Sequence, residues 1–344
     1  MGRYHNAHAA RTMMVRCDSV AAHRVLLLVQ YRNFRNDDPP GLVDIWNSAF
    51  TQRGAVIMRH SSPLERAAFS KPYFDSAGLI LAVEDGLRVG FAHAGFGANS
   101  AETAIAWTTG VICAIGVLPS HQRRGIGSEL LHRAEAFLRE RGARTLHAGP
   151  MHPVNPFYFG LYGGSDQPGF LASDAAAGPF LERRGYRERR GRLVFQRKLD
   201  VPLSVVDGRF PGLRRRYRME ASPWVRAGTW WAECVLGAVE PIEFRLLDAL
   251  TEQPVARAKV WEMEGFSWRW GVPSVGILDL LVDESLRRQG LAKLLLVNIL
   301  QYLQDQYFGL IETQAGADNL AAVSLYKSLG FEQVDVGRCY EFDR

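Results

Sequence analysis

One stretch of this chain occurs twice, and the repeat limits what the whole can fold into. Residues 117–138 read VLPSHQRRGIGSELLHRAEAFL, and residues 282–303 read VDESLRRQGLAKLLLVNILQYL. Val117 matches Val282, Gln122 matches Arg287, Gly125 matches Gly290 and Gly127 matches Ala292, at a constant separation of 165 residues. A turn that recurs in register over such a distance marks two copies of one supersecondary unit. A chain of 344 residues has room for two domains of ordinary size.

Each copy reads as strand, glycine turn and helix. VICAIGV (111–117) and GILDLLV (276–282) are apolar runs without a helical period, as buried strands are. After the first turn, Leu130, Leu131, Ala134, Phe137 and Leu138 recur at three- and four-residue spacing, which predicts an amphipathic helix from near Gly125 to Gly142. Glycines at a helix start leave backbone N–H groups uncovered where the macrodipole is positive, and Arg123 and Arg124 add full charges. The backbone of Gly125, Ile126, Gly127 and Ser128 is therefore an anion site suited to a diphosphate. Its counterpart is Gly290, Leu291, Ala292 and Lys293, preceded by Arg287, Arg288 and Gln289.

The spacing lacks both the Gly-Lys-Ser/Thr of a Walker loop and the G-x-G-x-x-G of a dinucleotide site. Gln/Arg-x-x-Gly-x-Gly/Ala after a strand ending in Val instead resembles the acetyl-CoA signature of the GNAT acetyltransferases. The resemblance implies an α/β protein of two tandem GNAT-like domains, each a mixed, mostly antiparallel sheet flanked by helices. It implies acetyl-CoA as co-substrate, with the pantetheine arm against the backbone at Ile115 and Val117, or at Leu280 and Val282, where the fourth and fifth strands splay. ADNLAAVSLYKSLGF (317–331) resembles the family's second motif. That match puts Asn319 near the CoA arm and makes Tyr326 the acid that protonates the departing thiolate. Two helical turns separate them, which predicts one shared face.

Aligning Gly185 with Gly330 sets Asp174 against Asn319 and Leu181 against Tyr326. Leucine has no proton to give, and a general acid contributes about 10²–10⁴ in rate, so the first domain lacks that help unless Tyr158 or Tyr162 substitutes. The Glu that many family members carry near the start of the organising strand is here Val111 and Gly276. Glu312 and Asp279 are the carboxylates at hand in the second domain, and each is equally readable as an ordinary strand charge; the base stays unassigned. The expected activity is direct transfer of acetyl from acetyl-CoA to a small-molecule or peptide amine, with the chemistry in the second domain. Catalysis in the first domain through its aromatic residues, or CoA binding without turnover, are the alternatives.

Composition narrows the setting. The longest early apolar run, 25–29, is far short of the roughly 18 residues of a membrane span, so a cytoplasmic protein is expected. The four cysteines form no C-x-x-C pair, which predicts reduced structural thiols and no metal. Net charge is +5, with arginines clustered at 183–197 and 209–218, but no aromatic interleaving or zinc spacing accompanies them, so they read as solvated strand faces and linkers rather than a nucleic-acid surface. Nothing in the chain specifies an oligomer.

In chain order, residues 1–23 read as a polar leader, 24–200 as the first domain and 201–344 as the second. A first strand is expected over 25–33, helices over 38–50 and 61–74, and a hairpin turning at Asp85-Gly86. A fifth strand follows at 145–148. Residues 149–180 then form a long insertion with Phe157, Tyr158, Phe159 and Tyr162 close together, readable as a pocket lid or as an interface between domains. In the second domain a hairpin is expected at 251–254, and the helical region shrinks to 222–237, with Trp224, Trp230 and Trp231 readable as core or as substrate contacts.

Overall fold

The computed structural model describes residues 28–342 except 224, 226 and 238; the leader, residues 25–27 of the first expected strand, and Trp224 lie outside them. The first half opens with β1 (Gln30–Asn33) and α1 (Pro39–Ala49), whose prolines at N1 and N2 need no N–H partner. The next expected helix is instead a short α2 (Ser62–Leu64) running into a π turn, Glu65–Phe69, closed by Ser70 N–H on the Glu65 carbonyl at 2.9 Å. β2 (Leu79–Glu84) and β3 (Leu87–Ala98) turn at Asp85 and Gly86, both at positive φ, as a tight hairpin demands. β4 (Ile105–Val117) leads into α3 (Ile126–Glu140), then β5 (Thr145–Ala148). β6 (Phe170–Leu171), α4 (Ala177–Glu182) and β7 (Tyr186–Lys198) complete the half.

The second half repeats this order with changes. It comprises α5 (Phe210–Arg216), β8 (Tyr217–Ser222), α6 (Trp230–Leu236), the hairpin of β9 (Ile242–Asp248) and β10 (Pro254–Glu262), and α7 (Glu264–Trp270). β11 (Ser274–Val282), α8 (Leu291–Asp305), β12 (Leu310–Gly316), α9 (Leu320–Ser328) and β13 (Glu332–Phe342) follow. No helix among the described residues is long and apolar enough to cross a membrane.

The two sheets are one. Strand order is β1-β2-β3-β4-β5-β13-β7-β12-β11-β10-β9-β8, with β6 against β13. β4 with β5 and β11 with β12 are parallel, and the other pairs are antiparallel. The halves have exchanged their last strands: β13 pairs with β5 of the first half, and β7 with β12 of the second. Long β7 and β13 bind each other through the middle, and among the described residues the strand order ends at β1 on one side and β8 on the other.

Two apolar cores result. The second half contributes Trp231, Trp261, Phe266 and Leu278 to the first core, while α8 and α9 pack the second against the opposite end of the sheet.

Candidate functional site

β4 hydrogen-bonds β5 only from Thr109–Ile112 to Thr145–Ala148. Two local features stop the pairing. His93 faces Ala114 while Ala94 faces Ile112, so Cys113 is a bulge that bends β4. Gly149, at φ 92°, carries the other strand away, its N–H held by the Ile112 carbonyl. The unpaired edge at Ile115 to Val117 then borders a cleft of about 760 Å³. Ala49 and Phe50 at the end of α1, Phe170 on β6, and Asp174, Phe180 and Leu181 around α4 form the other walls.

The first glycine turn lies at the mouth of this cleft. Gly125 caps α3 at φ 86°, and the first intrahelical bonds run from the Ser128 and Glu129 N–H groups to its carbonyl. The N–H groups of Ile126 and Gly127 therefore precede the helical ladder, as an anion site requires. A Cβ built on Gly125 would meet nothing within 4 Å, so the space above the turn is open. Gln122, Arg123, Gly127 and Ser128 line the cleft, whereas two expected contributors do not. Arg124 turns back to Glu84, Nη1 to Oε2 at 3.0 Å, and the Ile126 side chain is buried in the core.

Arg183 and Arg184 bring further positive charge from the end of α4, and Arg184 lies over the Phe180 ring and bonds Ser128 Oγ. The arginine run at 183–197 reads from sequence as a solvated face, but its first two members follow α4 directly and line the cleft. Asp174 is the one acid in the lining. Burial pushes its carboxyl above the usual range, partly opposed by the N–H groups of Ala176 and Ala177.

The second copy keeps the backbone and loses the walls. β11 pairs with β12 only from Ser274–Gly276 to Leu310–Glu312, so the strands splay here too, beside partly buried Leu280 and Val282. Arg288 and Gly290 repeat the positive φ of Arg123 and Gly125, at 68° and 93° against 62° and 86°. Arg287 bonds the Val282 carbonyl at 3.4 Å and Glu284 at 3.0 Å. Leu291 is buried, and Gln289, Ala292 and Lys293 complete the turn.

The acceptor side differs most. A Cβ on Gly116 would come within 3.0 Å of Phe91, 3.2 Å of Ile45 and 3.4 Å of Phe50, because α1 covers that strand closely. Its counterpart Leu281 is 48% exposed. The helix that would cover it, α6, packs on the first half instead: Trp231 Nε1 donates to Asn155 at 3.1 Å, and Lys71 donates to the Cys234 carbonyl at 2.6 Å. Trp231 is thus core, whereas Trp230 is 41% exposed and the core reading fails for it.

Asn319 and Tyr326 do not come together as the spacing predicts. Asn319 precedes the helix as its cap, accepting from Ala322 N–H at 3.1 Å, and is exposed. Tyr326 is 4% exposed, with ring centroids 5.7 Å from Phe195 and 5.6 Å from Phe331, its hydroxyl bonded by Thr313. Burial pushes its phenol above the ordinary value. Both spare carboxylates are paired: Asp279 takes Lys259 Nζ at 2.8 Å, and Glu312, wholly buried, takes Arg53 Nη2 and Gln196 Nε2 at 2.8 Å and Ser165 N–H at 2.7 Å.

The aromatic insertion resolves into two parts. Phe157, Tyr158, Phe159 and Tyr162 are buried in the first core, where Phe159 meets Trp261 of the second half at 5.2 Å and Ser165 accepts from Trp261 Nε1 at 3.0 Å. Its later part, from Phe170 to Leu181, lines the cleft. Tyr162 lies behind the wall, 6.0 Å from Phe50 and 6.4 Å from Phe170, its hydroxyl accepting from Leu171 N–H at 3.0 Å.

The acetyltransferase (GNAT) family pattern matches residues 40–161 and 214–331. A stretch of 57 residues is 39% identical to N-acetyltransferase 8 of Homo sapiens, covering 17% of this chain and 25% of that protein. Another of 83 residues is 37% identical to mycothiol acetyltransferase of Cellulomonas flavigena, covering 24% of each. The chain thus spans about a quarter of the length of these relatives. Among solved structures, the tandem GNAT protein from the clavulanic acid biosynthesis pathway shares the fold, with TM-score 0.61 at 16% identity over 91% of this chain and 98% of that one.

Proposed function

The chain belongs to the acetyltransferase (GNAT) family, and on that premise we propose that it moves an acetyl group from acetyl-CoA to an amine by direct attack, with the cofactor in the first-half cleft. One observation carries the choice of half. The splayed strand edge, the open glycine turn and a covered acceptor side meet at Ile115, Gly125 and Phe50, while at the second copy Leu281 faces solvent. The residues fit the cofactor: uncovered N–H groups and Arg123, Arg183 and Arg184 suit its phosphates, and the free edge of β4 suits the amides of its arm. The acceptor, a small-molecule or peptide amine, enters on the side of Ala49 and Phe50. The absence of a spanning helix among the described residues and the absence of a C-x-x-C pair support a cytoplasmic setting.

This reading moves the chemistry from the half that the sequence favoured. Tyr326 as acid would require a second-half cleft, and its ring packs on Phe195 and Phe331. A reading as a CoA-binding protein without turnover has one observation in its favour: Leu181, with no proton to donate, lines the cleft where the family places its tyrosine. Release of free CoA thiol on adding a panel of amines separates the two. Gly125→Glu places a carboxylate in the open space above the turn, so acetyl-CoA affinity should fall at least about a hundredfold, some 2.7 kcal/mol. Unchanged affinity in that variant would remove the cofactor from this cleft.

A further inference from the structure

We propose that the segment joining the halves closes the second glycine turn, the Arg209 guanidinium lying over Gly290 and Asp207 holding it there, so that the chain holds one CoA and not two. The proposal rests on the reading of the first cleft as the CoA site. The two turns have the same backbone, so an anion is favoured equally at either helix start. What lies over them differs. Over Gly125 an added Cβ meets nothing within 4 Å, and over Gly290 it meets the Arg209 guanidinium carbon at 3.0 Å.

Arg209 is held there by Asp207, Nε to Oδ1 at 2.9 Å and Nη2 to Oδ2 at 2.7 Å. Lys293, in the first turn of α8, reaches Asp207 Oδ2 at 3.5 Å. The carboxylate is only 10% exposed, and the Arg209 side chain, then its N–H and Lys293, hold its pKa well below the usual range, so it stays charged. Anion, arginine and lysine thus already satisfy one another at the turn. The segment is also fastened at both ends. Gln304 Nε2 donates to the carbonyls of Leu199 and Val201 at 2.7 and 3.1 Å, and Phe210 is buried in the second core.

Calorimetric titration of the full chain with CoA tests this. Wild type should bind one equivalent, Gly125→Glu none, and Gly290→Glu one, within about twofold of wild-type affinity. Replacing both Asp207 and Arg209 by alanine should open a second, weaker site. Two equivalents in wild type, loss of the single equivalent in Gly290→Glu, or a double variant that stays at one would each overturn the closure. Absence of any CoA binding by wild type would strike the first-cleft reading instead.

Discussion

Gly116 and Leu281 occupy the same place in the two copies, and their surroundings decide which copy has an acceptor side. A Cβ at 116 would crowd Phe91, Ile45 and Phe50, which would have to yield by a few tenths of an ångström. Gly116→Leu should therefore overpack this wall and destabilise the protein by about 1–3 kcal/mol in urea unfolding. Leu281→Ala, at an exposed position, should shift stability by no more than about 0.5 kcal/mol. Equal effects of the two would mean that both sites are covered alike. His93 gives a pH signature to the same face. Its Nδ1 lies 2.7 Å from the Tyr158 hydroxyl, its ring stacks on Phe157 at 4.2 Å, and burial lowers its pKa to about 3. The unfolded imidazole takes up a proton near pH 6.5 and the folded one does not, so this stability is complete above about 6.5 and is lost as pH falls toward 3. Between pH 7.5 and 5.5 the residue should withdraw about 1.4 kcal/mol. His93→Gln should lack that part of the slope, and an unaltered slope would mean that the imidazole takes up its proton as readily in the fold as in the unfolded chain. Gly125 could be read from sequence because a glycine turn before a helix has one backbone solution. Gly116 could not, since its constraint comes from α1, far away in the chain.

At the scale of elements, the strands before both glycine turns, both long helices and the Asp85-Gly86 hairpin are legible because apolar period and turn chemistry are local, whereas β6, β8 and β13 carry no such signal. The insertion was not. Its 157–162 part is fixed by partners such as Trp261, and its Ser165 N–H reaches Glu312, so lid and interface could not be told apart from sequence. Glu312 likewise reads as an ordinary strand carboxylate, yet it is the buried pin between the halves. Burial raises its pKa, opposed by Arg53, the Ser165 N–H and Gln196. Removing one partner of a buried ion pair strands the other, and Arg53→Met should reduce stability by about 3–5 kcal/mol. If urea unfolding shows a change below about 1 kcal/mol, the pair contributes nothing to joining the halves.

At the scale of the whole molecule, the exchange of β7 and β13 makes the first-half cleft a product of both halves. The repeat announced two copies but could not announce the exchange, because either last strand satisfies the same hydrogen bonds on either side. In the fold, β13 supplies the neighbour of β5 at Tyr340 and Glu341 and the neighbour of β6 at Gly337 and Arg338. Asp335 accepts from Ser173 through both the N–H, at 3.2 Å, and the hydroxyl, at 2.5 Å, and so anchors the approach to α4. Gly178 of α4 lies so close to Tyr340 that an added Cβ would come within 2.9 Å of the hydroxyl. A fragment of residues 1–200 would therefore keep every residue lining the cleft and lose what holds Phe170 and α4 in place. It would also expose unpaired edges on β5 and β7, where association with other chains begins. Such a fragment should bind acetyl-CoA at least about a hundredfold more weakly than the full chain, and co-expression with residues 201–344 should restore binding. Calorimetry on the fragment and on the reassembled pair gives both values. Full affinity in the isolated fragment would show that the first half closes its sheet with its own last strand, and the exchange would then play no part in building the cleft.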